Sequence, residues 1–142
     1  MDTTPALVVF DLAGTTVEDR GEVPAAYSAA LARHGIVPTP EEIHAVRGSS
    51  KREAIAALVA ARAGHPNPAV ATAAYDDFRV ELETRYAAGV RAIPGAEAVF
   101  RALRARGIRI ALNTGFERAI AAPLLRALRW DAGMADAVVC GD

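Results

Sequence analysis

Leu7-Val8-Val9-Phe10-Asp11-Leu12-Ala13-Gly14-Thr15-Thr16 is a short β-branched and aromatic run that stops on an aspartate, with a glycine turn directly behind it. An apolar run of this length bounded by a turn signal predicts a buried strand. Its first polar residue, Asp11, then stands at the carboxyl end, where open α/β sheets place their ligands. Gly14 lets the chain leave the strand sharply, and the hydroxyls of Thr15 and Thr16 suit bonds that tie the turn to itself. Taken alone, the same residues also describe a strand end with an Asx-type turn and no chemistry.

A second stretch repeats the construction. Ile108-Arg109-Ile110-Ala111-Leu112-Asn113-Thr114-Gly115-Phe116 runs from an apolar strand into small polar residues and a glycine. Before it, Pro94-Gly95 opens an amphipathic helix, with Ala98, Val99 and Leu103 expected on the apolar face and Arg101, Arg104 and Arg106 on the other, ending at Gly107. A helical crossover of this length makes the two strands parallel neighbours. Asp11 and Thr114 then emerge at one edge of one sheet, a carboxylate beside a hydroxyl and free backbone N–H groups. A nucleophile facing oxyanion donors is the minimum layout for phosphoryl transfer through an aspartyl-phosphate.

Asp11-Leu12-Ala13-Gly14-Thr15-Thr16 resembles the nucleophile loop of the haloacid dehalogenase superfamily, and Asn113-Thr114-Gly115-Phe116 its phosphate-holding motif. Most phosphatases of that superfamily carry a second aspartate two residues after the nucleophile, as acid for the leaving alcohol. The phosphonatase-like branch, that of phosphonoacetaldehyde hydrolase, has alanine there, as this chain has Ala13. The Thr114-Gly115-Phe116-x-Arg118 string fits the same branch. The resemblance implies an α/β, Rossmann-like parallel core and Asp11 as nucleophile. It also implies Mg2+ held by the Asp11 carboxylate and the Ala13 carbonyl. A phosphoryl group would be held around Leu12, Ala13, Thr114 and Gly115, and the substrate would be a small phosphonate or phosphate ester.

Residues 20–89 read as helical throughout. Pro24 to Arg33 stops at Gly35; Thr39 caps Pro40-Glu41-Glu42; Ser49 or Ser50 caps a helix to Ala63, ended by Gly64-His65-Pro66-Asn67-Pro68; the last helix runs from about Pro68 to Ala88. This insert is expected to be a cap domain over a core made of residues 1–19 and 90–142. After Trp130, Ala137-Val138-Val139-Cys140 predicts a third strand, and Asp142 is the last residue. The superfamily's basic third and acidic fourth motifs are missing, so the chain is expected to be the N-terminal part of a hydrolase, with a core of about three strands. In the family order the absent strand lies against the first, which would leave an apolar sheet edge unpaired.

Lys51 is the only lysine among 16 basic residues. It sits at the entry of a cap helix, in Arg47-Gly48-Ser49-Ser50-Lys51. A lysine of lowered pKa forms an imine with an aldehyde, which an arginine does not. The Gly-x-x-Lys spacing resembles the cap loop from which phosphonatase supplies its Schiff-base lysine. An imine draws electrons from the carbon bonded to phosphorus, so that the leaving group departs as an enamine and needs no aspartate acid; Ala13 and Lys51 would then account for each other. The phosphonatase pattern differs in having a histidine at Ala54 and a methionine at Arg47. Two other readings of Lys51 stay open: a contact to a substrate anion, as in related mutases and phosphatases, and an ordinary solvated residue at a helix start.

Composition bounds the alternatives. Apolar residues make up 52% of 142 positions, enough for an ordinary core. A net charge of −1 and a pI near 6.3 give no electrostatic footprint for nucleic acid or anionic membrane. The single Cys140 excludes an internal disulfide and a cysteine zinc cluster. No apolar run approaches the ~20 residues of a membrane span, and Met-Asp-Thr-Thr-Pro lacks the regions of a signal peptide. A cytoplasmic enzyme, with a homodimer left open, is the resulting expectation. His34 and His65 read as surface residues, and Glu41-x-x-His44 matches half of a di-metal motif that has no second copy. Asp76, Asp77, Glu81 and Arg85 read as a solvated helix face, with Asp77 and Glu81 mildly repulsive. Besides a phosphonatase-like hydrolase, a phosphatase or mutase of the same fold and a non-catalytic phosphate-binding remnant fit these residues.

Overall fold

The computed structural model describes residues 4–142. Met1, Asp2 and Thr3, part of the stretch read as lacking a signal peptide, lie outside the described residues. The element order is β1 (Leu7–Asp11), α1 (Glu22–Ala32), α2 (Pro40–Ala45), α3 (Lys51–Ala63), α4 (Pro68–Ala87), α5 (Ala96–Ala105), β2 (Arg109–Asn113), α6 (Arg118–Ala127) and β3 (Ala137–Val139). The three strands form one parallel sheet in the order β1-β2-β3. Leu7 lies opposite Arg109 and Asp11 opposite Asn113; on the other side of β2, Asn113 lies opposite Val139. The register therefore brings the ends of β1 and β2 level, as required if Asp11 and Thr114 are to share an edge.

The strands differ in burial. On β2, Ile110, Ala111 and Leu112 are all buried, as expected of a central parallel strand. The expectation of a buried β1 is corrected: Leu7 is 49% and Val9 56% exposed, because β1 is an edge strand among the described residues. The helix α5 also turns differently from the expected face. Ala96, Phe100 and Leu103 pack inward while Ala98 and Val99 face outward. Phe100 sets this rotation, since its ring meets Phe10 of β1 at 5.2 Å and Trp130 at 5.1 Å, both edge-to-face. The Trp130 indole N–H donates to Glu97 on the same helix at 3.0 Å.

The four helices between β1 and α5 pack apolar side chains against one another, in a cluster continuous with that of the sheet layer. Tyr27 of α1 stacks on Phe78 of α4 at 4.7 Å, with Tyr75, Leu31, Ile55 and Leu82 buried around them. Thr39 and Glu42 close a reciprocal capping box on α2, and Asn67 caps α4. Ser50 stands at the N-cap of α3 but its side chain makes no cap bond. On α4 Asp76 is exposed as expected, but the repulsion expected between Asp77 and Glu81 is corrected: Arg33 of α1 bonds both, and His34 meets Asp77 at 2.9 Å. The two carboxylates thus receive a shared cation and dock α1 onto α4, and His34 is part of that dock instead of a plain surface residue. Where the chain leaves and re-enters the sheet layer, its two passages pair, with Glu18 N–H donating to Arg91 and Ile93 N–H to Thr16. No helix is long and apolar enough to cross a membrane, among the described residues.

Candidate active site

Asp11 ends β1 with its side chain exposed, and the turn behind it is built from its own backbone. The Leu12 carbonyl accepts the N–H groups of Thr15, Thr16 and Val17, Gly14 donates to Val17, and the Thr16 hydroxyl donates to the Asp11 carbonyl at 2.8 Å. Gly14 holds φ +82°, a left-handed conformation that disfavours a side chain. The Leu12 N–H donates to the Asp11 carboxylate at 2.8 Å, which orients it. None of the bonds that tie the turn ends on the Ala13 carbonyl.

The free backbone N–H groups expected at the second loop are corrected: those of Thr114 and Phe116 are both bonded within the protein. Thr114 is buried, its N–H donates to Val139, and its hydroxyl accepts the Phe116 N–H at 3.1 Å. Gly115 has no room for a side chain, because a Cβ would overlap the Ser49 carbonyl oxygen. The contact is reciprocal, since the Gly115 carbonyl accepts the Lys51 N–H at 3.2 Å. On its other side the Gly115 carbonyl packs against Gly141, where a Cβ would lie 2.8 Å away. The loop after β2 is therefore held between the start of α3 and the end of β3.

Lys51 stands at that contact and is only 8% exposed. Its ammonium donates to the Ser49 carbonyl at 3.3 Å and lies 5.5 Å from the centre of the Phe116 ring. Burial lowers its pKa below the usual lysine value; the charges of Asp11 and Asp19 oppose that shift and Arg47 adds to it.

These residues surround one cavity of about 370 Å3, lined by Asp11, Ala13, Thr114, Gly115 and Lys51, with Thr15, Asp19 and Arg47 on its wall. Of the site residues expected from sequence, Leu12 alone does not line it; its side chain is in the core. A larger neighbouring cavity of about 480 Å3, among α1, α2 and the start of α3, shares Asp19, Val23, Arg47 and Lys51 with it. Asp19 was not singled out from sequence. Its only signal there is an acidic pair, Glu18-Asp19, just behind the Asp11 turn. Its side chain is 7% exposed, accepts the Gly21 N–H at 3.0 Å and faces the Arg47 guanidinium at 3.7 Å. Arg47 also lies over Gly14.

Residues 5–142 match the haloacid dehalogenase-like hydrolase family. The chain belongs to this family. It is 33% identical over 144 residues to the phosphonoacetaldehyde hydrolase of Paraburkholderia xenovorans, covering 94% of this chain and 54% of that protein. It is 38% identical over 108 residues to a phosphoglycolate phosphatase of Cereibacter sphaeroides, covering 75% of this chain and 50% of that one. Among solved structures, a phosphonoacetaldehyde hydrolase-like protein from Oleispira antarctica superposes with a TM-score of 0.78 at 26% identity, covering 97% of this chain and 54% of that chain. The chain thus spans about half the length of the curated relatives it matches.

The donor set bears on the metal. A carboxylate on Asp11 and a carbonyl on Ala13 that the turn leaves unbonded are hard oxygen ligands of the kind Mg2+ takes. Among the described residues, no group of three or more His, Cys, Asp or Glu side chains gathers to hold a metal ion, so this pair fits in type and supplies only part of a coordination shell.

Proposed function

We propose that this chain carries the nucleophile and imine-forming halves of a phosphonatase-like hydrolase, cleaving the phosphoryl group from a small phosphonate that bears an aldehyde. Asp11 attacks phosphorus, giving an aspartyl-phosphate. Thr114, Gly115 and the Ala13 backbone hold the phosphoryl oxygens, and residues 20–89 act as the cap over residues 1–19 and 90–142. Mg2+ bound by Asp11 and the Ala13 carbonyl would neutralise charge on those oxygens. The single observation that carries the reading is that Lys51, buried and with a depressed pKa, lines the same cavity as Asp11. Its amine adds to the aldehyde carbon and water leaves. The resulting iminium takes up the electron pair of the carbon–phosphorus bond as that bond breaks, so an acid at position 13 has no task.

Replacing Lys51 with arginine tests this through phosphate release from phosphonoacetaldehyde. Arginine keeps the cation and donors but forms no imine, so loss of turnover supports the imine and near-normal turnover excludes it. A second reading, a phosphate-ester hydrolase, is favoured by Arg47, a guanidinium on the wall of both cavities suited to a substrate carboxylate. Preferential hydrolysis of phosphoglycolate would select it. With two metal ligands in hand, the 142-residue chain is expected to turn over far more slowly than a typical enzyme, about 10 per second.

A further inference from the structure

An imine-forming lysine that is itself buried poses a proton problem. Lys51 must lose a proton before its nitrogen attacks, and the carbinolamine oxygen must gain one before it leaves as water. At 8% exposure the lysine has little direct access to bulk solvent, and its one hydrogen-bond partner, the Ser49 carbonyl, is not a base. The carboxylates lining the cavity next to the nucleophile, the groups there that can take up and return a proton, are those of Asp11 and Asp19. Asp11 is committed to phosphorus and already accepts the Leu12 N–H. Asp19 lines both cavities, as Lys51 does, without a direct ion pair between the two, and its side chain has little exposed surface. The Gly21 N–H holds one of its oxygens and Arg47 faces the other from 3.7 Å, too far for a hydrogen bond.

We propose that Asp19 is the proton shuttle of imine formation, a role that rests on the reading of Lys51 given above. Asp19 takes a proton from the Lys51 ammonium through one water in the cavity they share. The free amine adds to the aldehyde carbon, and the nitrogen passes a proton to the new alkoxide to give the neutral carbinolamine. Asp19 then returns its proton to the hydroxyl, the carbon–oxygen bond breaks and water departs. An iminium cation is left on Lys51 and Asp19 is a carboxylate again. One ammonium and one aldehyde thus become one iminium and one water, with no other reactant. His44 lines the outer cavity but not the one that holds Asp11, which places it off this path.

The test uses the 142-residue chain, because imine formation needs no phosphoryl transfer. The chain is mixed with phosphonoacetaldehyde, quenched with borohydride after increasing delays, and the adduct on Lys51 is counted by mass spectrometry. In Asp19→Asn, which keeps the acceptor for Gly21, the rate of adduct growth is expected to fall about 100-fold, the lower end of what a positioned acid–base supplies. The final amplitude is expected to stay the same, since reactant and product are both cations and a shuttle changes rate without changing equilibrium. His44→Gln is expected to match the wild type. An unchanged rate in Asp19→Asn, or a lost amplitude, would overturn the shuttle while an adduct on wild-type Lys51 keeps the imine reading intact. Absence of that adduct in the wild type would remove both.

Discussion

The turn behind β1 and the loop behind β2 both end a strand on small polar residues, yet the first is held by its own backbone and the second by its neighbours. Around Asp11, most of the hydrogen bonds run within residues 11–17, with one arriving from Ile93 at Thr16, and the carboxylate stays exposed. Around Gly115, the contacts run outward, to Ser49 and Lys51 on one side and Gly141 on the other. The proposed nucleophile is thus presented by a turn tied largely to itself. The loop proposed to hold the phosphoryl group is in register only while α3 stays seated. Lys51 belongs to that seating through its N–H on the Gly115 carbonyl and its ammonium on the Ser49 carbonyl.

The largest expected effect separates chemistry from stability in the first turn. Asp11→Asn keeps the size and removes the charge, so phosphoprotein accumulating from a small phosphoryl donor such as acetyl phosphate is expected to vanish on intact-mass analysis while the urea midpoint stays near wild type. Persistent labelling would move the nucleophile elsewhere.

The next effect bears on the second loop. Gly115→Ala drives a methyl group into the Ser49 carbonyl and is expected to destabilise the protein by about 3 kcal/mol, or to unseat α3, in the upper range for overpacking. Gly14→Ala meets only the tip of Arg47, 3.9 Å away, and should lose about 1 kcal/mol from the left-handed backbone alone. Urea denaturation of the pair measures the contrast directly, and equal losses would erase it.

A smaller, pH-dependent effect sharpens the part of Lys51. Burial disfavours its ammonium, so its folded pKa lies below the 10.5 of the unfolded chain. Between those two values the unfolded chain binds more protons, and stability therefore rises with pH across that window. Relative to Lys51→Met, the wild type is expected to gain stability from its lowered folded value up to 10.5, with Asp11 and Asp19 limiting the gain and Arg47 enlarging it. A pH-independent difference in urea midpoints would show that the lysine is solvated.

Much of this was legible in the chain itself. The two strand-to-glycine transitions, Asp11-to-Gly14 and Thr114-to-Gly115, are local signals, and so are the capping box at Thr39 and the left-handed stop at Gly64. What escaped depends on long-range contacts. Arg33 is far in sequence from Asp77 and Glu81, so a carboxylate pair that reads as repulsive along one helix is in fact bridged by another. The inward face of α5 was set by Phe100 meeting Phe10 and Trp130, and the exposure of Leu7 and Val9 by β1 having a strand on one side. Asp19 carries no spacing signature at all. Only the shared wall of two cavities marks it.

The central claim is that Lys51 and Asp11 serve one cavity in which the lysine forms an imine. Borohydride reduction with phosphonoacetaldehyde, followed by peptide mapping, tests it most directly, because the chain has a single lysine. A two-carbon adduct on Lys51 that is absent in Lys51→Arg is the predicted result; an adduct confined to the amino terminus would contradict it.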